Sequence, residues 1–364
     1  MTQFPSISSA GPISGLLGQL VTESGVTRAR LDELTAQSSS GARSDTFSGL
    51  GDGARVSLDL RPGMAALSTW QANIAAAGAQ TDLTLNAMDR ITAIASDFYA
   101  RVNTLNGLSA SDVDTTAAAA RDALRELSGL LDTKNGDTYI FAGQDSANPP
   151  IPQPDNILTS GFFTQISASV ATLGGAGAAA VSAATLAIAG SNTAGTSPFS
   201  SFLSQPAAAL QTQRGTVQVG EARYDSVGIL ASANATAVSA GASTTGSYMR
   251  DLMRGLATLG ALSSSQIAAP GFAALVDDTR TSLRDAISAM TTDVGTLGDQ
   301  QKRLAAVKDQ SAQTLVSLTA QVSAVEDVDM TATLSNLTQV QTQLQASYHM
   351  IASFSQFTLT RYLT

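Results

Sequence analysis

Four groups of residues in this chain have types and spacings that could do chemistry. Gly175-Ala176-Gly177-Ala178-Ala179-Ala180 matches the G-x-G-x-x-A turn that holds a dinucleotide pyrophosphate. That turn works with an acidic residue about 20 positions on, which binds the ribose. No Asp or Glu lies between Asp155 and Glu221, so the match reads as a low-complexity loop. Glu326, Asp327 and Asp329 could hold a hard cation, but the twelve-residue ligand pattern of a calcium loop is absent. They read better as a break or cap between two helices. His349 is the one histidine and has no partner motif. Asn234-Ala235-Thr236 and Asn336-Leu337-Thr338 fit the glycosylation acceptor pattern, which is short enough to arise by chance.

Composition narrows the chemistry further. The 364 residues include no cysteine, which excludes disulfides, iron–sulfur clusters and thiolate zinc. A single histidine excludes multi-histidine metal sites and argues against a Ser–His–Asp enzyme. Lysine occurs only at 134, 302 and 308, and none follows a glycine, so there is no phosphate-binding loop. The net charge of −9 argues against nucleic acid, which needs a basic stripe. No catalytic, metal or cofactor residues can be assigned, and we expect no enzyme activity and no cofactor. No run of about 18 apolar residues exists, so no membrane insertion is expected. The start has no basic segment followed by an apolar one, so no cleaved signal peptide is expected.

Periodicity supplies the frame. Gly11, Pro12, Gly15 and Gly18 discourage early helix, and the stripe Leu16, Leu20, Thr27, Leu31, Leu34 predicts only a marginal one. Pro62-Gly63 should open a long helix, carried by Leu67, Trp70, Ile74, Ala77, Met88, Ile91 and Phe98 and ended by Asn106-Gly107. Ser111–Asp114 offers capping groups for a second helix. Asn135-Gly136 followed by Thr138–Phe141 reads as a hairpin. Residues 156–245 are poor in charge, with β-like pieces at Phe162–Val170, Thr216–Val219 and Arg223–Leu230, and predict a β-rich insertion. Gly246-Ser247 starts a short helix.

The clearest pattern is Leu283, Ile287, Met290, Val294, Leu297, Gln301, Leu304, Lys308, Ser311, Leu315, Leu318, Val322, Val325. Steps of four and three make a heptad seam, on a helix about 65 Å long. Such a helix needs a partner of matching length, and the one after Pro62 qualifies. The final segment carries a stripe of Leu334, Leu337, Val340, Leu344, Ile351 and Phe354 with almost no charge around it. Left exposed it would be a sticky patch, so it predicts a helix that orders when copies pack.

Those residues also carry a resemblance. Val325-Glu326-Asp327-Val328-Asp329-Met330, Leu334-Ser335-Asn336-Leu337-Thr338, Leu344–Tyr348 and Phe357–Leu363 resemble the C-terminus of bacterial flagellin-like axial proteins. Gly136–Gly143 is similar to the hairpin of the hook–filament junction members of that group, the third hook-associated proteins. Val294–Gly298 with Arg303-Leu304 resembles the returning helix, and Ser39–Asp45 approximates the serine-glycine-lysine-arginine stretch. The resemblance implies a flagellar structural subunit, extracellular, exported unfolded without a cleaved signal peptide. It implies partners in copies of itself, neighbouring hook-associated axial proteins, filament flagellin, the flagellar export apparatus and an export chaperone.

The expected fold is mainly α. A long coiled-coil-like helical rod comes from both chain ends, with a short β-hairpin and an inserted β-rich domain. The expected segments are 1–44 for assembly and export, 45–155 for rod and hairpin, 156–245 for the insertion, 246–325 for the returning rod and 326–364 for the assembly helix. The assembly interface is expected at Leu334, Leu337, Val340, Leu344, Ile351 and Phe354, facing Leu16, Leu20, Leu31 and Leu34. Two other readings are filament flagellin and an exported surface protein that binds glycans.

Overall fold

The computed structural model describes residues 11–105, 109–239 and 241–359, and the side chains of 18–105, 109–239 and 241–353. The chain is mainly α. In order, the helices are α1 (Gly11–Ser40), α2 (Gly53–Leu105), α3 (Ala110–Leu131), α4 (Gly161–Ala171), α5 (Leu173–Ala176), α6 (Ala178–Gly190), α7 (Ala207–Leu210), α8 (Tyr248–Ala261), α9 (Phe272–Glu326) and α10 (Met330–Leu359). Two antiparallel hairpins interrupt them: β1 (Lys134–Asn135) with β2 (Thr138–Tyr139), and β3 (Gly215–Gly220) with β4 (Arg223–Val227). The chain forms two compact units. One comprises residues 1–67 and 313–364, the other 68–312.

In the larger unit, α2 and α9 run antiparallel. Ile74 and Ala77 share a cluster with Leu304, and Gln301 donates to Asp82. The heptad seam on α9 is real: Leu283, Met290, Leu297 and Leu304 are buried, while Lys308 is exposed. β3 and β4 lay Val217, Val219 and Val227 over the same place. A second cluster joins Met88, Ile91 and Phe98 of α2 to Leu124 and Leu127 of α3 and Leu252 and Leu256 of α8. The β1–β2 turn falls at Gly136, whose positive φ suits glycine. Beyond it, Ile140 and Phe141 enter the core.

Several expectations from the sequence fail for identifiable reasons. The early glycines do not prevent α1, which begins at Gly11. Its packing on α10 outweighs propensity. Pro62 lies inside α2 rather than at its start. It is exposed, so water can take the Leu58 carbonyl that loses its helical donor. Asn106-Gly107 lies outside the described residues. The cap of α3 is Ser109, in a reciprocal box with Asp112. The segment 156–245 is more helical than β. Phe162, Ile166, Val170 and Leu173 are buried at helical spacing, and the Ser160 side chain accepts from the Phe163 N–H. Aromatic and β-branched content suggested strand there, but the period of the buried positions decides. Gly177, at positive φ, joins α5 to α6, so the glycine-alanine run is two helix ends rather than a loop.

α8 is buried from Tyr248 to Gly260, so its polar groups must find partners inside. Asp293 of α9 provides one anchor. Its carboxylate accepts backbone N–H bonds from Ala235, Thr236 and Ala237 at 2.7–2.9 Å, and the Tyr248 hydroxyl at 3.0 Å. Burial, then the Asp293 charge, raises the Tyr248 pKa and keeps the phenol a donor. Removing the carboxylate orphans these donors together. Asp293→Ala should lower unfolding free energy by at least about 3 kcal/mol, and Tyr248→Phe by about 1 kcal/mol. Urea denaturation followed by circular dichroism measures both. A loss under about 1 kcal/mol for Asp293→Ala would contradict the anchor.

Asp251 behaves differently. Burial pushes its pKa up to about 6, with Asp285 adding to the rise and Thr245 and Arg254 opposing it. The folded chain therefore holds this proton more tightly than the unfolded chain. Its contribution is full below about pH 4 and is lost as pH rises through about 6. Asp251→Asn should match the wild-type melting temperature near pH 4 and exceed it at pH 8. Melting curves across that range test the crossover.

Candidate assembly site on the terminal helices

The smaller unit is built from the two chain ends, and its elbow is the 41–46 turn against the α9–α10 junction. Gly41, at positive φ, ends α1, and its carbonyl accepts from the Val328 N–H at 2.9 Å. The Arg43 N–H donates to the Glu326 carbonyl at 2.7 Å, and the Arg43 Nε donates to the Asp327 carbonyl at 3.0 Å. Asp329 accepts from the Thr331 and Ala332 N–H groups, which caps α10. Arg61 Nη2 donates to both Glu326 carboxylate oxygens at 2.8 Å, and Ser57, fully buried, also donates to it. Gly53 lies so close to Val325 that a Cβ would collide with it. The acidic cluster is thus a cap plus an ion pair. No group of acidic and histidine side chains among the described residues could hold a metal.

From that elbow α1 and α10 run antiparallel in contact. The α1 seam is Leu20, Ser24, Thr27, Leu31, Leu34; Ser24 and Leu34 are buried and the others half-buried. The α10 seam is Thr333, Leu337, Val340, Leu344, Ser347, Ile351, with Thr333 and Leu344 buried. Both step by four and three residues, the heptad rhythm. The structure therefore brings Leu20, Leu31, Leu34, Leu337, Val340, Leu344 and Ile351 together within one chain. Leu334 is not among them. It is 48% exposed, one residue past the seam position Thr333. The side chains of Leu16 and Phe354 lie outside the described residues. Sequence reading missed Ser24, Thr333 and Ser347 because they are polar; their heptad spacing was the available signal.

The seam is thin. Two fully covered leucines contribute about 3–6 kcal/mol. The three interior glycines of α1, Gly15, Gly18 and Gly25, cost about 3 kcal/mol relative to alanine. At Gly18 and Gly25 a Cβ would meet nothing within 4 Å, so no packing inside the chain requires them. Outside the seam Met330, Leu334 and Tyr348 lie along one face of α10, with Met350, Val21 and Val26 also exposed. No formal charge occurs from Met330 to Leu359. An uncovered apolar face on a marginal helix pair is the physical signature of a packing surface.

The Glu326 main-chain carbonyl serves Arg43 in either protonation state, and its carboxylate braces the junction through Ser57 and Arg61 of α2. Hydrogen bonds from Ser57 and then Arg61 lower its pKa, so its contribution is present at neutral pH and lost as pH falls through its folded value. Glu326→Gln should speed amide exchange of Arg43 and Val328 at pH 7 relative to wild type. Unchanged protection of both would show that the carboxylate does not brace the elbow.

A family model described as the bacterial flagellin C-terminal helical region matches residues 281–363. A structure titled as a putative flagellar hook-associated protein from Vibrio parahaemolyticus shares the fold, with a TM-score of 0.51 and 9% identity. That match covers 75% of this chain and 97% of the other. Curated protein sequences gave no match. Among the described residues no helix is long and apolar enough to cross a membrane. The α9–α10 junction and α10 therefore lie inside residues 281–363, the stretch that matches the flagellin C-terminal helical region.

Proposed function

We propose that this chain is a structural subunit of the bacterial flagellum, placed at the junction between hook and filament and polymerising through its terminal helices. One observation carries the reading: where the large exposed apolar side chains fall. Besides the α1 and α10 residues just described, Phe47, Val56, Leu58 and Val316 belong to the same small unit. Among the described residues the larger unit exposes only Tyr224 and Val238. Apolar surface concentrated at the chain ends fits a subunit that is finished by its neighbours. The flagellin-type match over residues 281–363 supplies the class of assembly.

In this reading the work is mechanical and no catalytic group is used. α2 and α9 stiffen the subunit, and α1 with α10 packs against copies of itself and neighbouring hook-associated proteins or flagellin. The protein is extracellular, delivered by the flagellar export apparatus with an export chaperone and without a cleaved signal peptide. The Gly136–Gly143 hairpin and the hook-associated fold neighbour favour the junction over the filament. Filament flagellin is the second reading, favoured by the same C-terminal match. Seeded growth of the purified protein into long filaments would select it.

Leu334 gives the sharper test because it lies outside the intrachain seam. Leu334→Asp should abolish incorporation into hook–filament structures while leaving the monomer's far-ultraviolet circular dichroism unchanged. Leu344→Asp should also lose α1–α10 helicity. Wild-type incorporation of Leu334→Asp would defeat the assembly reading.

A further inference from the structure

In the larger unit, a cavity of about 300 Å³ opens between the end of α6, the start of α7, the 232–238 segment and the start of α8. Its volume matches about ten water molecules, at the small end of ligand sites. Arg250 is the one charged residue in its wall, and no carboxylate lines it. That is unusual in a chain of net charge −9. We propose that this cavity is a binding site for a small organic carboxylate, received by Arg250.

Arg250 is 6% exposed and enters no ion pair among the described residues. Its guanidinium donates to the carbonyls of Ser232, Ala189 and Ser191 and to Asn192 Oδ1, at 2.8–3.3 Å. It also lies 5.2 Å from the Phe199 ring centroid. These partners are neutral and fix the group in place, and the Asp251 carboxylate, next in the chain, offsets part of its charge. Four of its five N–H donors are spent on these partners, so one Nη2 N–H remains for a carboxylate, held in position before binding. Burial pulls the Arg250 pKa down, and the Asp251 charge opposes that shift.

The rest of the wall suits the same ligand. Gly246 and Ser247, at the N-terminal end of α8, line the cavity and add the positive end of the helix dipole. Asn192 spends its Oδ1 on Arg250, which leaves its Nδ2 to donate. Gln205 and Gln211 spend their Nε2 groups on the Phe202 and Asn234 carbonyls, which leaves acceptors for ligand hydroxyls. Val238, 74% exposed, forms an apolar lip. The site therefore fits a carboxylate carrying hydroxyls on a short carbon chain.

The test titrates full-length protein with sodium gluconate at constant ionic strength by isothermal titration calorimetry. Sorbitol, the uncharged polyol with the same number of carbons, is the control. Gluconate should bind saturably, with a Kd of about 1 mM, and sorbitol should not. Ala207 lines the cavity yet is exposed, and it is none of the bonding partners of Arg250, so Ala207→Trp adds bulk at the opening and leaves those bonds in place. That variant should bind gluconate at least tenfold more weakly and keep its circular dichroism spectrum. Arg250→Gln should lose binding too, and if it fails to fold, Ala207→Trp decides. Absence of saturable gluconate binding, equal binding of sorbitol, or unchanged affinity in Ala207→Trp would each overturn the proposal.

Discussion

A helix of thirty residues without one formal charge must be covered along most of its surface to stay in solution, and α10 is such a helix. The rest of the small unit follows from that constraint. α1 returns along α10 because the elbow turns it there, and the elbow holds because Gly41 and Arg43 exchange bonds with Glu326, Asp327 and Val328 at the α9–α10 junction. Yet α1 covers only one stripe. A two-helix contact can bury about two positions in seven on each helix. The remaining faces of α10 hold apolar and amide side chains that find no cover within the unit.

The thinness of the seam is consistent with that role. Ser24, Thr333 and Ser347 occupy positions where leucine would bind more tightly. Gly18 and Gly25 weaken α1 without serving a close contact inside the chain. A pair optimised for itself would use apolar residues at these places. A pair that is finished by neighbours can leave them small and polar, and gain its order from the larger burial that assembly brings. Local stability near the low end of the scale is the expected state of such an element.

Much of this was legible in the sequence, and the losses have physical causes. Steps of four and three located α9 and α10, because a seam must repeat with the helix. The same steps identified Leu344 but attached Leu334 to the stripe, since hydrophobicity was weighed above period. Thr333 holds the buried place, one residue earlier. Between 162 and 170, residue type suggested a strand and period would have given α4. Pro62 was read as a boundary because sequence does not reveal that the orphaned carbonyl faces solvent. The buried anchors Asp293 and Arg250 had no local signal at all. Their partners lie 18–61 residues away in the chain, and only the folded backbone collects them.

Those anchors show how the larger unit solves the opposite problem. α8 has no wet face, so its polar side chains cannot remain solvated. Hydrophobic packing alone would leave the 189–192 and 232–237 segments free to choose among many conformations. Arg250 binds the carbonyls of both, and Asp293 binds three consecutive N–H groups of the second. Buried charge here specifies loop geometry through bonds that only one arrangement can satisfy. It also has a consequence for chemistry. A guanidinium bonded to neutral carbonyls and only partly offset by Asp251 stands in a low-dielectric wall, where an anion is worth more than it would be in water. The chain therefore leaves two unfinished surfaces of different kinds: an apolar one at its ends, satisfied by area, and a cationic one in its middle, satisfied by a single complementary group.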